Sequence, residues 1–237
     1  MTKKEKPVDS TQEQILSDPH PTRGEHPGGP RHQADPFPSV AANVREHLST
    51  DSSGHDMDHV WRVFRLTQRF ADELDADSDV VGCAALVHDL HRAVGEGTGC
   101  APEETLPMVE AMLEGTGLND EQSAAVKHCV AVHDDLAFRG EDPEPDTIEA
   151  KILRDADNID AMGAVGIART FAFGGAHGTP LWDPDGEEYS QLYHFEDKLL
   201  RLQSELHTEP AQQLSEERHA FLELFFERFV AEWNGEA

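Results

Sequence analysis

Lysine is scarce in this chain. Of 237 residues only 6 are Lys and 13 are Arg, against 47 Asp and Glu, for a formal charge of −28. An acidic surface of this kind repels a phosphate backbone and an anionic bilayer, which argues against nucleic acid or membrane as partner. Long apolar runs are also missing. The run Val80–Val87 is eight residues, far short of a membrane span. The N-terminus, Met1-Thr-Lys-Lys-Glu-Lys-Pro7, is charged and lacks the apolar stretch of a signal peptide. Cysteine occurs three times, as Cys83, Cys100 and Cys129, without zinc-type pairing. These features together point to a reduced, cytoplasmic protein. The acids are spread along the whole chain, a pattern that fits a halophilic cytoplasm better than a local acidic binding surface.

Residues 1–36 read as a disordered tail. Asp18–His32 holds four prolines, three glycines and no apolar residue, too little to offset the entropy of ordering. His20, His26 and His32 within it are irregularly spaced and read as solvated. Residues 37–237 read as one all-α domain. Apolar residues recur at helical spacing from Val40 onward, with Asp56 or Asp58, Asp79, Asn119, the stretch Pro145-Asp146-Thr147 and Ser215 as helix starts. The segment Val80–Leu90 is apolar nearly all round and should be the buried central helix. A break is expected from Phe173 to Gly186. Beyond it Leu192, Phe195, Leu199, Leu202 and Leu206 step like one helix face.

Three His-Asp pairs occur: His55-Asp56, His88-Asp89 and His133-Asp134. Composition alone makes such pairs common, so context must separate them. Only His88-Asp89 lies inside the apolar segment, and a buried ionised Asp needs a strong partner such as a metal ion. Adjacent helix residues diverge, so further ligands must come from other helices. His59 shares a face with Val63 and Leu66 and is a candidate. A later carboxylate is wanted, and Asp155, Asp157 and Asp160 all offer one. Two imidazoles with carboxylates suit Mn, Fe, Co, Ni or Mg better than structural zinc.

The segments Gly54-His-Asp-Met-Asp-His59, Ala85-Leu-Val-His88-Asp89 and Ile152-Leu-Arg-Asp-Ala-Asp157-Asn-Ile-Asp160 resemble the HD-domain superfamily of metal-dependent phosphohydrolases. The likeness continues through Arg169, the Phe173-Gly-Gly loop, Tyr193–Leu200 and Glu216–Phe221, and so covers about residues 40–234. The branch is the small stand-alone bacterial and archaeal one. The resemblance implies an HD helical bundle. It carries the metal-ligand pattern onto His59, His88, Asp89 and Asp157. Asn158 stands where the family commonly has Arg or Lys. His128 and His133 lie on the intervening helix where some HD families place ligands for a second metal, and Asp155 and Asp160 are candidates for that ion or for supporting the first.

The implied reaction is hydrolysis of a phosphate ester or anhydride, of a nucleotide in particular, by attack of metal-bound hydroxide. Lys151, Arg154 and Arg92 are candidates to steady the phosphate charge. Arg92 replaces a Glu found in HD nucleotidases and guanosine tetraphosphate hydrolases, and fits a more highly phosphorylated substrate. A different class of function is a catalytically silent HD module that senses a nucleotide. An iron oxygenase would require His128 and His133 at the metal.

Overall fold

The computed structural model describes residues 35–48, 54, 56–94, 100–140 and 145–236. The chain divides into residues 1–33 and 34–237, and every described residue belongs to the second unit. The expected tail therefore lies outside the described residues except for Asp35 and Pro36. Among the described residues all regular structure is helical.

Helices α1 (Phe37–Leu48), α2 (Met57–Leu74), α3 (Ser78–Val87) and the single turn α4 (Leu90–Ala93) come first. Helices α5 (Leu106–Leu113), α6 (Asp120–Val132) and α7 (Ile148–Asp160) follow. The C-terminal part holds α8 (Gly163–His177), α9 (Gln191–Asp197), a 3-10 segment (Leu199–Glu205) and α10 (Glu209–Trp233).

Helix α3 is the centre. Every residue from Val80 to Val87 is buried, and α1, α2, α6 and α7 pack around it. Gly82 permits close contact with α1, since a Cβ there would stand 2.5 Å from the Phe37 ring. Short polar side chains start the helices. The Asp56 carboxylate accepts from His59 N at 3.0 Å, Asn119 and Gln122 form a reciprocal cap on α6, and Thr147 Oγ1 accepts from Ala150 N. Asp77 rather than Asp79 caps α3, accepting from Asp79 N and Val80 N.

The central helix does not run on through Leu90. Its regular ladder stops at Val87, and His88 and Asp89 form a turn before α4. Three other boundaries differ from expectation. Helix α8 continues past Phe173 to His177, because Gly174 lets the Gln191 side chain lie against its backbone. It ends at Gly178, whose φ of 70° is left-handed. Leu192 to Leu206 are not one helix. Lys198, at φ −128° and ψ −62°, separates α9 from the 3-10 segment; apolar steps of three fit either helix type. Finally, Ser215 does not begin the last helix. Thr208 and Pro210 do, and Ser215 lies buried inside it, its Oγ donating back to Gln212 O at 2.7 Å.

Helix α10 is tied to α7 from two sides. Arg218 donates to the Ile159 carbonyl at 2.5 Å. The buried Asp155 carboxylate accepts from His207 N, Thr208 N and Thr208 Oγ1 at 2.9, 2.7 and 2.6 Å. An aromatic group of Phe171, Phe195, Phe225 and Phe229 fills the space between α8, α9 and α10.

Candidate metal centre

Four side chains from three places in the sequence meet at the end of α3. His59 comes from α2, His88 and Asp89 from the turn after α3, and Asp157 from α7. His59 Nε2 is 3.2 Å from His88 Nε2, 3.2 Å from Asp89 Oδ2 and 3.4 Å from Asp157 Oδ1. His88 Nε2 is 3.7 Å from Asp89 Oδ1 and 3.9 Å from Asp157 Oδ1. His88, at φ −59° and ψ −39°, and Asp89, at φ −90° and ψ 9°, end α3 beside this point.

Both imidazoles are held from behind. His88 Nδ1 donates to the Ala85 carbonyl at 2.8 Å, which leaves a lone pair on Nε2. His59 Nδ1 is 2.8 Å from Asp160 Oδ2. Asp160 is itself fixed by Arg62 Nε at 2.8 Å and Arg169 Nη1 at 2.9 Å. Arg169 also reaches the Gly54 carbonyl. This is the carboxylate–histidine relay that orients metal-binding imidazoles.

The electrostatics describe a site that wants a cation. Burial alone would lower the His59 pKa, but the hydrogen bonds to Asp160 and Asp89 overcome it and raise it to about 9. Burial pushes Asp89 up, but His88, Arg92 and His59 hold it well below the carboxylate range. Asp157 is lowered too, its burial outweighed by His59 and His88. Asp160 falls to about 2 against its burial, through His59 and Arg62. A proton on His59 thus sits where carboxylates and an imidazole lone pair converge. A divalent cation fits that place better, because it can engage all four ligand atoms at once.

The centre opens on a cavity of about 290 Å³, with Asp157 on its wall. Arg92, Arg169 and Lys198 line the same cavity. Arg92 donates to Asp89 Oδ1 at 2.8 Å and to Asp134 Oδ2 at 3.2 Å. Lys198 is half-buried with no side-chain partner among the described residues, and burial lowers its pKa. Phe173, Tyr189 and His194 complete the rim.

Other candidates stand elsewhere. Arg154 is buried and gives its guanidinium to the Val132 carbonyl, 3.6 Å from Asp135 Oδ2, so it joins α7 to the end of α6. Lys151 is half-buried on α7 and, like Arg154, does not line the cavity. Helical rotation explains both placements, since residues three and six before Asp157 need not share its direction across a cavity wall. His128 pairs with Asp146 at 2.7 Å, on a more exposed face. Asp155 anchors the start of α10. His133 is buried beside His88, with ring centroids 5.3 Å apart. Sequence reasoning passed over His91, Lys198 and the part played by Arg169. His91 had a signal, its position three residues after His88. Lys198 had only its place after Tyr193-His-Phe-Glu-Asp.

Comparisons with known proteins agree with this picture. The HD domain family model matches residues 57–162. The Bacillus subtilis protein YpgQ is 40% identical over 182 residues, covering 76% of this chain and 84% of that protein. The crystal structure of YpgQ in complex with ADP aligns with a TM-score of 0.62 at 35% identity, over 81% of this chain and 96% of that one. An HD-superfamily hydrolase from Bacillus thuringiensis aligns with a TM-score of 0.65 at 34% identity, over 84% and 96%. The chain belongs to the HD-domain superfamily of metal-dependent phosphohydrolases.

Proposed function

We propose that this protein is a hydrolase that uses a divalent cation held by His59, His88, Asp89 and Asp157 to cleave a phosphate ester or anhydride of a nucleotide. One observation carries the reading. Three buried ligand groups, His59, His88 and Asp89, meet the partly exposed Asp157 carboxylate at the wall of a cavity that also presents three cationic side chains, Arg92, Arg169 and Lys198. A cation bound there supplies Lewis acidity, lowering the pKa of a water and polarising a phosphoryl oxygen.

The chain's own residues do the rest. Asp160, clamped by Arg62 and Arg169, fixes the His59 ring. Arg92 holds one oxygen of Asp89 and turns its remaining surface to the cavity. Lys198 has no side-chain partner among the described residues and meets incoming phosphate, offsetting charge that builds on the phosphoryl oxygens. The exposed ring of Phe173 offers a stacking surface for a base. The ADP complex of YpgQ supports a nucleotide as ligand. The charge of −28 disfavours nucleic acid and favours a small substrate taken into a local cationic pocket.

The test is metal analysis of the purified protein, followed by a screen for phosphate and pyrophosphate release over nucleoside mono-, di- and triphosphates. Release that depends on added Mn(II) and stops with a chelator is expected. Nucleotide binding with no release under any metal would replace this reading with that of a silent sensor module.

A further inference from the structure

The cavity has a charged end and an uncharged one. Gln191, His194 and Lys198 all line it, and their spacing of three and then four residues makes them one stripe along α9. Lys198, where α9 ends, lies toward the metal, and its charge interacts with those of Asp134, Asp157 and Arg92. Gln191 begins α9. Seven helical residues set it about 10 Å from Lys198 along the axis. That matches the reach of a nucleotide from its phosphates to its base.

The groups at the Gln191 end are polar but carry no charge. Gln191 is 3% exposed, and Thr170 of α8, on the same cavity wall, is 7% exposed. Neither side chain has a hydrogen-bond partner among the described residues. A nearly buried carboxamide without partners is rare in a folded protein, and the cavity is where a partner can enter. Gly174 explains the placement, since a Cβ there would run into Gln191 Cγ. The glycine thus lets the Gln191 side chain lie against α8, beside Phe173. His177 stacks on the Phe173 ring, with centroids 4.1 Å apart, and steadies it. His194 Nδ1 is 2.7 Å from Tyr189 Oη. Burial and the neighbouring Lys198 lower the His194 pKa to about 4, so its ring is neutral. Arg92 and Arg169, by contrast, are paired with Asp89 and Asp160 at the metal side.

We propose that Gln191 is a specificity-determining residue that reads the base of the nucleotide, and that the base it selects is adenine. A carboxamide presents an acceptor and a donor side by side. Adenine answers both, through its amino group and the neighbouring ring nitrogen. Phe173 offers its ring for stacking, and Thr170 adds a hydroxyl to the same wall. The inference rests on the nucleotide reading, with the phosphates at the metal and Lys198.

The experiment is calorimetric binding to the full chain in Mn(II). The ligands are the α,β-methylene diphosphates of adenosine, guanosine, cytidine, uridine and unsubstituted purine riboside, with methylene diphosphate itself as the base-free probe. Purine riboside differs from adenosine only in lacking the amino group. The adenosine compound should bind tightest, at least about 10-fold tighter than the purine riboside compound. Gln191→Met, which keeps the length and removes both polar atoms, should bring that ratio close to one. Its Mn(II) content and its affinity for methylene diphosphate should match wild type, which a general loss of structure would not allow. A wild-type ratio near one, or a ratio that survives in Gln191→Met, overturns the assignment of Gln191. A guanosine, cytidine or uridine compound that binds tightest overturns the choice of adenine. Either result leaves the nucleotide reading standing. If no nucleoside compound binds more tightly than methylene diphosphate, both readings fall. Should Gln191→Met not fold, Gln191→Ala carries the same comparison, and the wild-type ratios alone still decide against the inference if they are flat.

Discussion

The two halves of the cavity wall are built by opposite means. On the metal side, from α2, α3 and α7, the polar groups are buried and each is fixed by a second interaction: His88 by Ala85 O, His59 by Asp160, Asp89 by Arg92. On the opposite side, from α8 through the residue that ends α9, Lys198 and His194 are only partly covered and the rim side chains Phe173 and Tyr189 are 40 and 51% exposed. The first arrangement suits an ion that demands fixed geometry, and the second suits an organic ligand of variable shape. The difference teaches that metal binding and substrate binding here should be separable by mutation.

The sharpest break comes from the ligands. His88→Ala or Asp89→Ala should remove bound metal and abolish hydrolysis. Full metal content by elemental analysis in both variants would falsify the assignment. Among the carboxylates of α7, Asp157→Asn should cost the most metal. Asp160→Asn should lower metal affinity by about 10- to 100-fold, as losses of orienting carboxylates do. Asp155→Asn should spare the metal and lower the unfolding midpoint instead, because its hydrogen bonds to His207 and Thr208 hold the start of α10. A large metal loss in Asp155→Asn would mean that α7 meets the ion through a different face.

Lys198→Ala tests the other wall. It should raise KM for a phosphorylated substrate by about 10-fold, the loss of one charge-assisted contact, and leave metal content unchanged. A variant short of metal would erase the division between the walls.

Proton linkage sharpens the metal side further. In metal-free protein the His59 pKa is raised from 6.5 to about 9, burial being outweighed by Asp160 and Asp89. Protonated His59 therefore stabilises the fold, fully below pH 6.5, and that contribution is lost as pH rises through about 9. The midpoint of chelator-treated protein should fall over this window. Metal affinity should rise over the same window, because the cation displaces that proton. Calorimetry in buffers of different ionisation enthalpy at pH 7.5 should detect proton release on Mn(II) binding; none would contradict the protonated site.

The smallest effect is expected from salt, which acts on the whole surface. A charge of −28 repels itself, and the Debye length shrinks from about 10 Å at 0.1 M to about 3 Å at 1 M. The unfolding midpoint should rise with KCl. A midpoint flat from about 0.1 M to about 2 M would count against a halophilic adaptation.

Much of this molecule was readable before any coordinates. The cap at Asn119 was legible because a short polar side chain before an apolar stripe has a local cause; the structure chose Asp56 over Asp58 and Thr147 within Pro145-Asp146-Thr147. The buried helix α3 was legible because nothing in Val80–Val87 can face water. Ser215 misled because a serine inside a helix can satisfy itself on the carbonyl three residues back, which no local pattern reveals. The Leu192–Leu206 face misled because 3-10 and α segments share a step of three.

The sequence by itself determined the helical class, the buried His88-Asp89 pair and the acidic surface, since each follows from local periodicity or composition. The HD resemblance singled out His59 and Asp157. Only the tertiary structure decided which charged residues serve the site. Arg154 and Arg92 look alike in sequence, yet one is given to a backbone carbonyl and the other faces the cavity. His91 and His128 are equally polar, yet one joins Asp89 and the other pairs with a surface Asp146. The physical reason is that a side chain's partners are set by the helices that surround it, and those lie tens of residues away in the chain.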